Sequence, residues 1–304
     1  MKILVTGGLG VIGSRLVKEL RSRGHDVWVC DLYHCHELQY LRCDVTSLRQ
    51  LERVFSRDKF DFVYHLAAEY GRWNGEDYYE NLWRTNVIGT KNILRLQEKY
   101  CFRQIFFSSC EVYGDYEGIM TEDIMDKVPI KQMNDYAISK WVGELQVLNS
   151  AQMFKTETVR VRPLNCYGPG EYYTPYRGVV TLFAYRALMD LPYTVYMGHE
   201  RIFDYIDDTC STIANIVGNF IPGEVYNIGG KEEWVTDIRH VSDLILKYLG
   251  KSDKLVTYKK AEPFTTRIKR VDFSKIRRDL KHNPKVPIEE GIKRYIEWMK
   301  KVYK

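Results

Sequence analysis

Lys2-Ile3-Leu4-Val5-Thr6-Gly7-Gly8-Leu9-Gly10-Val11-Ile12-Gly13 decides how the chain is read. Lys2–Thr6 is a short apolar run ending in glycines, the pattern of a buried strand. From Gly10 to Arg23, Val11, Leu16, Val17 and Leu20 recur at helical spacing. Strand, glycine turn and helix in that order form a cradle for phosphate. Gly7 permits the tight turn, Gly10 lets backbone approach a pyrophosphate, and Gly13 lets the helix pack closely on the sheet. Val11 and Ile12 open the helix, whose first amides and dipole attract anionic groups.

Moving outward, Asp26–Cys30 reads as a second strand, and Asp31 ends it. A carboxylate there accepts bonds from both hydroxyls of an adenosine ribose and repels a 2′-phosphate. Leu32, Tyr33 and His34 follow it, and no arginine. The expected dinucleotide is therefore NAD and not NADP. Asp44 and Val45 stand where they would flank the adenine ring, although Asp44 equally suits a helix cap before Thr46.

Strand and helix alternate through the first half. Leu48–Phe55, Val87–Tyr100 and Tyr136–Leu148 have helical spacing; Asp61–His65, Gln104–Ser108 and Glu157–Val161 read as strands. Alternation of this kind predicts an α/β fold, a doubly wound parallel sheet of the Rossmann type. The expected dinucleotide domain covers residues 1–165, with residues 202–228 returning to it. Residues 166–304 are expected to form mainly a smaller C-terminal substrate-binding lobe. There Val179–Met189, Asp207–Phe220, Val235–Leu249 and Ile288–Tyr303 read as helices.

The 304 residues carry 45 Lys and Arg against 40 Asp and Glu, a net charge of +5. That mild excess gives no nucleic-acid stripe and suits a phosphate-bearing ligand. The densest basic stretch, Lys269–Lys281, is interleaved with Val271, Phe273, Ile276 and Leu280, and reads as an amphipathic surface helix. Seven cysteines, an odd number without framework spacing, suit reduced thiols and no metal site. No signal peptide or membrane-length apolar run is evident, so a cytoplasmic protein is expected.

Tyr136-Ala137-Ile138-Ser139-Lys140 places a phenol and an ammonium one helical turn apart. Such a cation lowers a phenol's pKa toward that of a usable base. With 23 tyrosines in the chain the pair alone proves little. Upstream, Phe107-Ser108-Ser109-Cys110-Glu111-Val112-Tyr113-Gly114 puts hydroxyls at a strand's carboxyl end, where ligands sit in open α/β sheets.

The glycine loop, His65-Leu66-Ala67-Ala68, Asn86, the Ser109–Gly114 run, Tyr136-x-x-x-Lys140, Arg162–Gly170 and Arg201–Asp208 occur in order. Together they resemble the nucleotide-sugar epimerase/dehydratase family of extended short-chain dehydrogenases/reductases, over nearly the whole chain. The resemblance implies NAD contacts at Leu66, Ala67, Ala68, Asn86, Tyr136 and Lys140, although Asn86 also reads as a plain helix residue. It implies Tyr136 as acid/base, Lys140 holding the nicotinamide ribose and depressing the Tyr136 pKa, and Ser109 sharing the hydroxyl proton. It places Glu69, Arg72, Ser109, Cys110, Asn165 and Arg201 at the substrate, a nucleoside-diphosphate sugar. Asn165 and Arg201 would bind the diphosphate; the alternative for Arg201 is an ion pair with Asp204 or Asp208. Arg72 would meet a uronate carboxylate or is an ordinary loop arginine. Tyr172, Tyr173 and Tyr176 would stack on the base or cover the lobe junction.

The family's reaction is transient oxidation of the sugar's 4-hydroxyl. The family's 4,6-dehydratases carry an Asp-Glu pair where this chain has Cys110-Glu111, and a thiol poorly replaces that acid. Epimerisation through a 4-keto intermediate is therefore the leading expectation. Dehydration, or decarboxylation of UDP-glucuronate using Glu111, is the alternative. A non-catalytic dinucleotide-binding protein stands last. A homodimer is expected through Val87–Tyr100 and Tyr136–Leu148, by analogy.

Overall fold

The structure, a computed structural model, describes residues 1–263 and 265–304. It divides into two compact units: Met1–Val112 with Asn134–Pro163 and Cys210–Tyr226, and Tyr113–Met133 with Leu164–Thr209 and Asn227–Lys304.

Seven strands form one sheet in the order Val225–Ile228, Thr158–Pro163, Arg103–Phe107, Phe62–His65, Lys2–Thr6, Asp26–Asp31, Tyr40–Arg42. It is the expected parallel, Rossmann-like sheet flanked by helices. Phe62–His65 is buried at every position, as a strand covered on both faces must be. The chain builds outward from Lys2–Thr6 to Tyr40–Arg42, then returns to lay Phe62–His65 on the other side. Strand order reverses beside Lys2–Thr6, and at such a point the loops leaving the carboxyl ends part to open a crevice.

The helix Val11–Ser22 buries Gly13, Leu16, Val17 and Leu20, the face its spacing predicts. Asp135–Phe154 runs past the expected end at Leu148 and is capped by Asn134, whose side chain accepts from Ala137 N at 2.9 Å. It buries Tyr136, Lys140 and Glu144, three polar residues four apart on one face. The expected helix Val87–Tyr100 is instead α-helical over Thr90–Tyr100, behind a wider π-helical stretch, Arg84–Gly89. The expected helix over Asp207–Phe220 ends at Ala214 and continues as a 3₁₀ turn, Asn215–Val217.

In the second unit, Val179–Leu188, Ile238–Leu249 and Ile288–Tyr303 enclose an apolar core that includes Phe183, Val241, Ile245, Ile292 and Tyr295. The single amphipathic helix expected over Lys269–Lys281 is a correction. Arg270–Val271 pairs as a strand with Ile119–Met120, and only Ser274–Leu280 is helical. Val271 and Phe273 alternate as in a strand, whereas Ile276 and Leu280 are a helical step apart; all four are buried. Two periods meet in one basic stretch. No helix among the described residues is long and apolar enough to cross a membrane.

Candidate active site

Gly7 has φ +68°, and a Cβ there would lie 2.7 Å from Ala67 N. A Cβ on Gly13 would fall 2.2 Å from Gly7 O, so helix and turn meet at a distance no side chain permits. At Gly10 a Cβ would meet only Gly7 O within 4 Å, at 3.2 Å, so this corner of the turn lies open. Asp31 braces the loop: Oδ2 accepts from Leu9 N at 3.0 Å and Oδ1 from Leu32 N at 2.7 Å. Each oxygen keeps a lone pair for a ribose hydroxyl. The open glycine corner, the amino end of the helix holding Val11 and Ile12, and the Asp31 carboxylate fit a dinucleotide's pyrophosphate and ribose. Asp44 Oδ1 accepts from Thr46 N at 2.8 Å in the turn ahead of the Leu48–Arg57 helix, whose N-cap is Ser47, so Asp44 is not the helix cap; Val45 is buried.

Leu66, Ala67 and Ala68 are partly buried behind the turn. Leu66 N donates to Thr6 O at 3.1 Å and Ala67 N to Thr6 Oγ1 at 3.3 Å. His65 Nδ1 lies 2.8 Å from Thr6 Oγ1 and Nε2 3.2 Å from Thr90 Oγ1. Burial holds this imidazole down to about 3, so it is neutral and joins strand to helix.

Ser109 follows the Arg103–Phe107 strand, and its hydroxyl lies close enough to the Tyr136 phenol to pull the phenol's pKa down. Glu111 N donates to Ser109 Oγ at 3.2 Å. Lys140 Nζ sits 5.9 Å from the Tyr136 ring centroid and donates to Phe107 O at 2.9 Å. Tyr70 meets the Tyr136 ring edge-on, centroids 5.7 Å apart. Ser109, Tyr136 and Lys140 thus converge at the carboxyl end of the central strands. The electrostatics correct one expectation. Burial is the dominant influence and pushes the Tyr136 phenol up, the Ser109 bond pulls it down, and Glu111 and Cys110 push it up again. Lys140, itself lowered to about 8 by burial, directs its ammonium to a carbonyl.

Asn86 braces the protein around the site. It is buried, its Oδ1 accepts from Glu69 N at 2.8 Å, and its Nδ2 donates to Glu69 O and Ser139 Oγ, each at 3.0 Å. It ties the Glu69 loop to the Tyr136 helix. Glu69 Oε2 accepts from Asn74 Nδ2 at 2.9 Å, and the Arg72 guanidinium lies 5.0 Å from the Trp73 ring centroid. Cys110 is 1% exposed and its Sγ donates to Arg162 O at 3.0 Å, so its thiol is turned into the protein.

Asn165 and Arg201 belong to the second unit. Asn165 has φ +44° and donates from Nδ2 to Ile202 O at 2.9 Å. Arg201 is buried, and its fork closes on backbone carbonyls: Nη1 donates to Glu200 O and Arg267 O at 2.8 Å, and Nη2 to Thr266 O at 2.6 Å. Tyr173 stacks on Tyr185 with centroids 3.8 Å apart, and Tyr172 meets Trp298 at 5.3 Å, so these rings pack within their own unit. Glu144, Arg162 and His65 went unnamed among the expected site residues. The signal for Glu144 is its place four residues after Lys140.

Residues 3–229 match the NAD dependent epimerase/dehydratase family. The chain is 30% identical to UDP-N-acetyl-alpha-D-glucosaminuronate decarboxylase of Bacillus cytotoxicus, over 99% of this chain and 98% of that one. It is 28% identical to dTDP-glucose 4,6-dehydratase of Neisseria meningitidis, over 98% and 92%. Its fold matches the UDP-glucose 4-epimerase of Thermus thermophilus, solved as a complex with NAD, with TM-score 0.88, 26% identity and 99% of both chains covered. The chain belongs to the NAD dependent epimerase/dehydratase family, and its cofactor is NAD.

Proposed function

We propose that this enzyme oxidises the 4-hydroxyl of a nucleoside-diphosphate sugar and re-reduces the ketone on its other face, as an epimerase. The supporting observation is the convergence of the Ser109 hydroxyl and the Lys140 ammonium on the Tyr136 phenol, the ammonium 5.9 Å from the ring centroid. When bound, NAD supplies the hydride acceptor and, at its oxidised ring, positive charge that favours a tyrosinate. Tyr136 takes the hydroxyl proton at its phenol oxygen, and returns it to the same sugar oxygen once the ketone is reduced. Ser109 donates to the tyrosinate and then to the sugar oxygen. Lys140 would hold the nicotinamide ribose, and Glu69, Arg72, Asn165 and Arg201 contact the substrate. Residues 1–165 carry the cofactor and residues 166–304 most of the substrate contacts, in a cytoplasmic homodimer. Half-exposed Ile88, Leu145, Leu148 and Phe154 on the two helical segments suit that interface.

Cys110 weighs against dehydration, because a buried thiol bonded to Arg162 O is a poor acid for a leaving hydroxyl. Glu111 favours decarboxylation of a uronate as the second reading: its charge acts on Tyr136, and it is partly exposed. The test is product mass after incubation with UDP-, GDP-, CDP- and dTDP-hexoses and with UDP-glucuronate. Unchanged mass with an inverted centre is expected. Loss of carbon dioxide establishes the second reading, and loss of water overturns the argument from Cys110.

A further inference from the structure

Every residue flanking Ser109 is tethered, while Ser109, whose oxygen accepts from Glu111 N, keeps its hydroxyl hydrogen free to point at Tyr136. Phe107 O accepts from Lys140 Nζ, Ser108 N donates to Val161 O at 2.8 Å, and Cys110 Sγ donates to Arg162 O. The fourth tether is the side chain of Ser108, which donates to Glu144 Oε1 at 2.5 Å. Glu144 is fully buried. It also accepts from Arg162 Nε at 2.8 Å and Nη2 at 2.7 Å, and from Arg160 Nη1 at 3.0 Å. Burial alone would raise this carboxyl, but Arg162 above all, then Arg160 and Ser108, hold it below the ordinary carboxylate range, so it is ionised. One carboxylate therefore joins three elements: its own helix, the end of the Arg103–Phe107 strand, and the Thr158–Pro163 strand.

We infer that Glu144 is a positioning residue: through Ser108 it fixes the strand end that carries Ser109 at its working distance from the Tyr136 phenol. Tyr136 and Glu144 sit on one helix, two turns apart and on one face. The helix thus carries both the proposed base and the anchor for the base's partner. A bare structural brace would need only the two arginines. The bond to Ser108 adds a reach into the strand end, and Ser108 is the immediate neighbour of Ser109. Buried ion clusters contribute little net stability, whereas the direction they impose is specific. Misplacing reacting groups by an ångström costs ~100-fold in rate.

The inference rests on the assignment of Tyr136 and Ser109, so the test carries a control for that assignment. Ser108→Ala removes the reach and leaves the Glu144–arginine bonds intact. Single-turnover reduction of bound NAD is followed with UDP-glucose and UDP-glucuronate, beside amide hydrogen exchange at residues 108–111. The expected result is a rate loss of ~100-fold with unchanged KM, faster exchange at Ser109 and Cys110, and an unaltered melting temperature. Ser108→Thr, which keeps the hydroxyl, restores both readouts. Glu144→Asp, which keeps the charge and shortens the arm, lowers the rate and speeds exchange as Ser108→Ala does, with an added loss of stability from its loosened arginine bonds. If Ser108→Ala folds, reduces NAD at the parent rate and keeps the parent's exchange at residues 108–111, Glu144 merely braces the fold and the inference fails. Where neither sugar reduces NAD, the exchange readout decides alone. A Tyr136→Phe control that still turns over overturns the functional reading instead.

Discussion

The surroundings of Tyr136 and those of Arg201 are both polar and buried, yet they are built in opposite ways. Around Tyr136 the bonds that hold the site are made by neighbours: Phe107, Ser108 and Cys110 are anchored, and Ser109 is left to face the phenol. Around Arg201 the side chain of interest does the holding itself, its fork closed on the carbonyls of Thr266 and Arg267. A group anchored by others keeps its donors for a substrate. A group that anchors others must break bonds before it can bind one. Changes at the first site should therefore act on rate, and changes at the second on binding.

The hardest blow to this contrast is Tyr136→Phe, which should lower turnover by about 10²- to 10⁴-fold while NAD stays bound. A parent-like rate would end the assignment. Arg162→Met tests the anchoring: it strips Glu144 of its bidentate partner and should cost about 3–5 kcal/mol of stability, read by thermal or denaturant unfolding. An unaltered midpoint would mean that Arg160 alone satisfies Glu144.

A pH series sharpens the picture at Lys140. Burial holds it near 8, against 10.5 for a solvated lysine. Between those values the unfolded chain binds a proton that the folded chain has shed, so this group makes stability rise with pH across that window. Lys140→Met removes the buried charge. Below about pH 8 it should melt at a higher temperature than the parent, although inactive, and the gap should narrow as pH climbs toward 10.5. Calorimetry showing a gap constant with pH would remove Lys140 as its source. The smallest effect belongs to Arg201→Lys, which loses the fork that spans Arg267 and Thr266. Weaker substrate binding by about 1 kcal/mol with unchanged kcat is expected. A fall in kcat would erase the distinction between the two sites.

The parts legible in the sequence are those with a local period or a steric signature. The glycine turn, the strands around it and the four-residue step from Tyr136 to Lys140 stand in the structure where the sequence placed them. What stayed hidden depends on partners distant in the chain. Cys110 reads as a candidate substrate contact until Arg162, 52 residues away, is seen to take its hydrogen. That Asn86 joins Glu69 to Ser139 is also invisible in the sequence, since those partners lie 17 and 53 residues away. The balance of influences on Tyr136 was likewise hidden, because spacing reveals a nearby cation but neither the depth of burial nor the carbonyl that draws the ammonium aside.

The stretch Arg84–Gly89 has one more consequence. A π turn holds one residue more than an α turn, and the surplus shifts whatever precedes it by about 100° around the axis. Deleting one residue there would leave Thr90–Tyr100 a sound helix and would swing Asn86 off both Glu69 and Ser139. The helix would be more regular and the enzyme poorer, since chain length at this point answers to the loop it serves and not to the coil it interrupts.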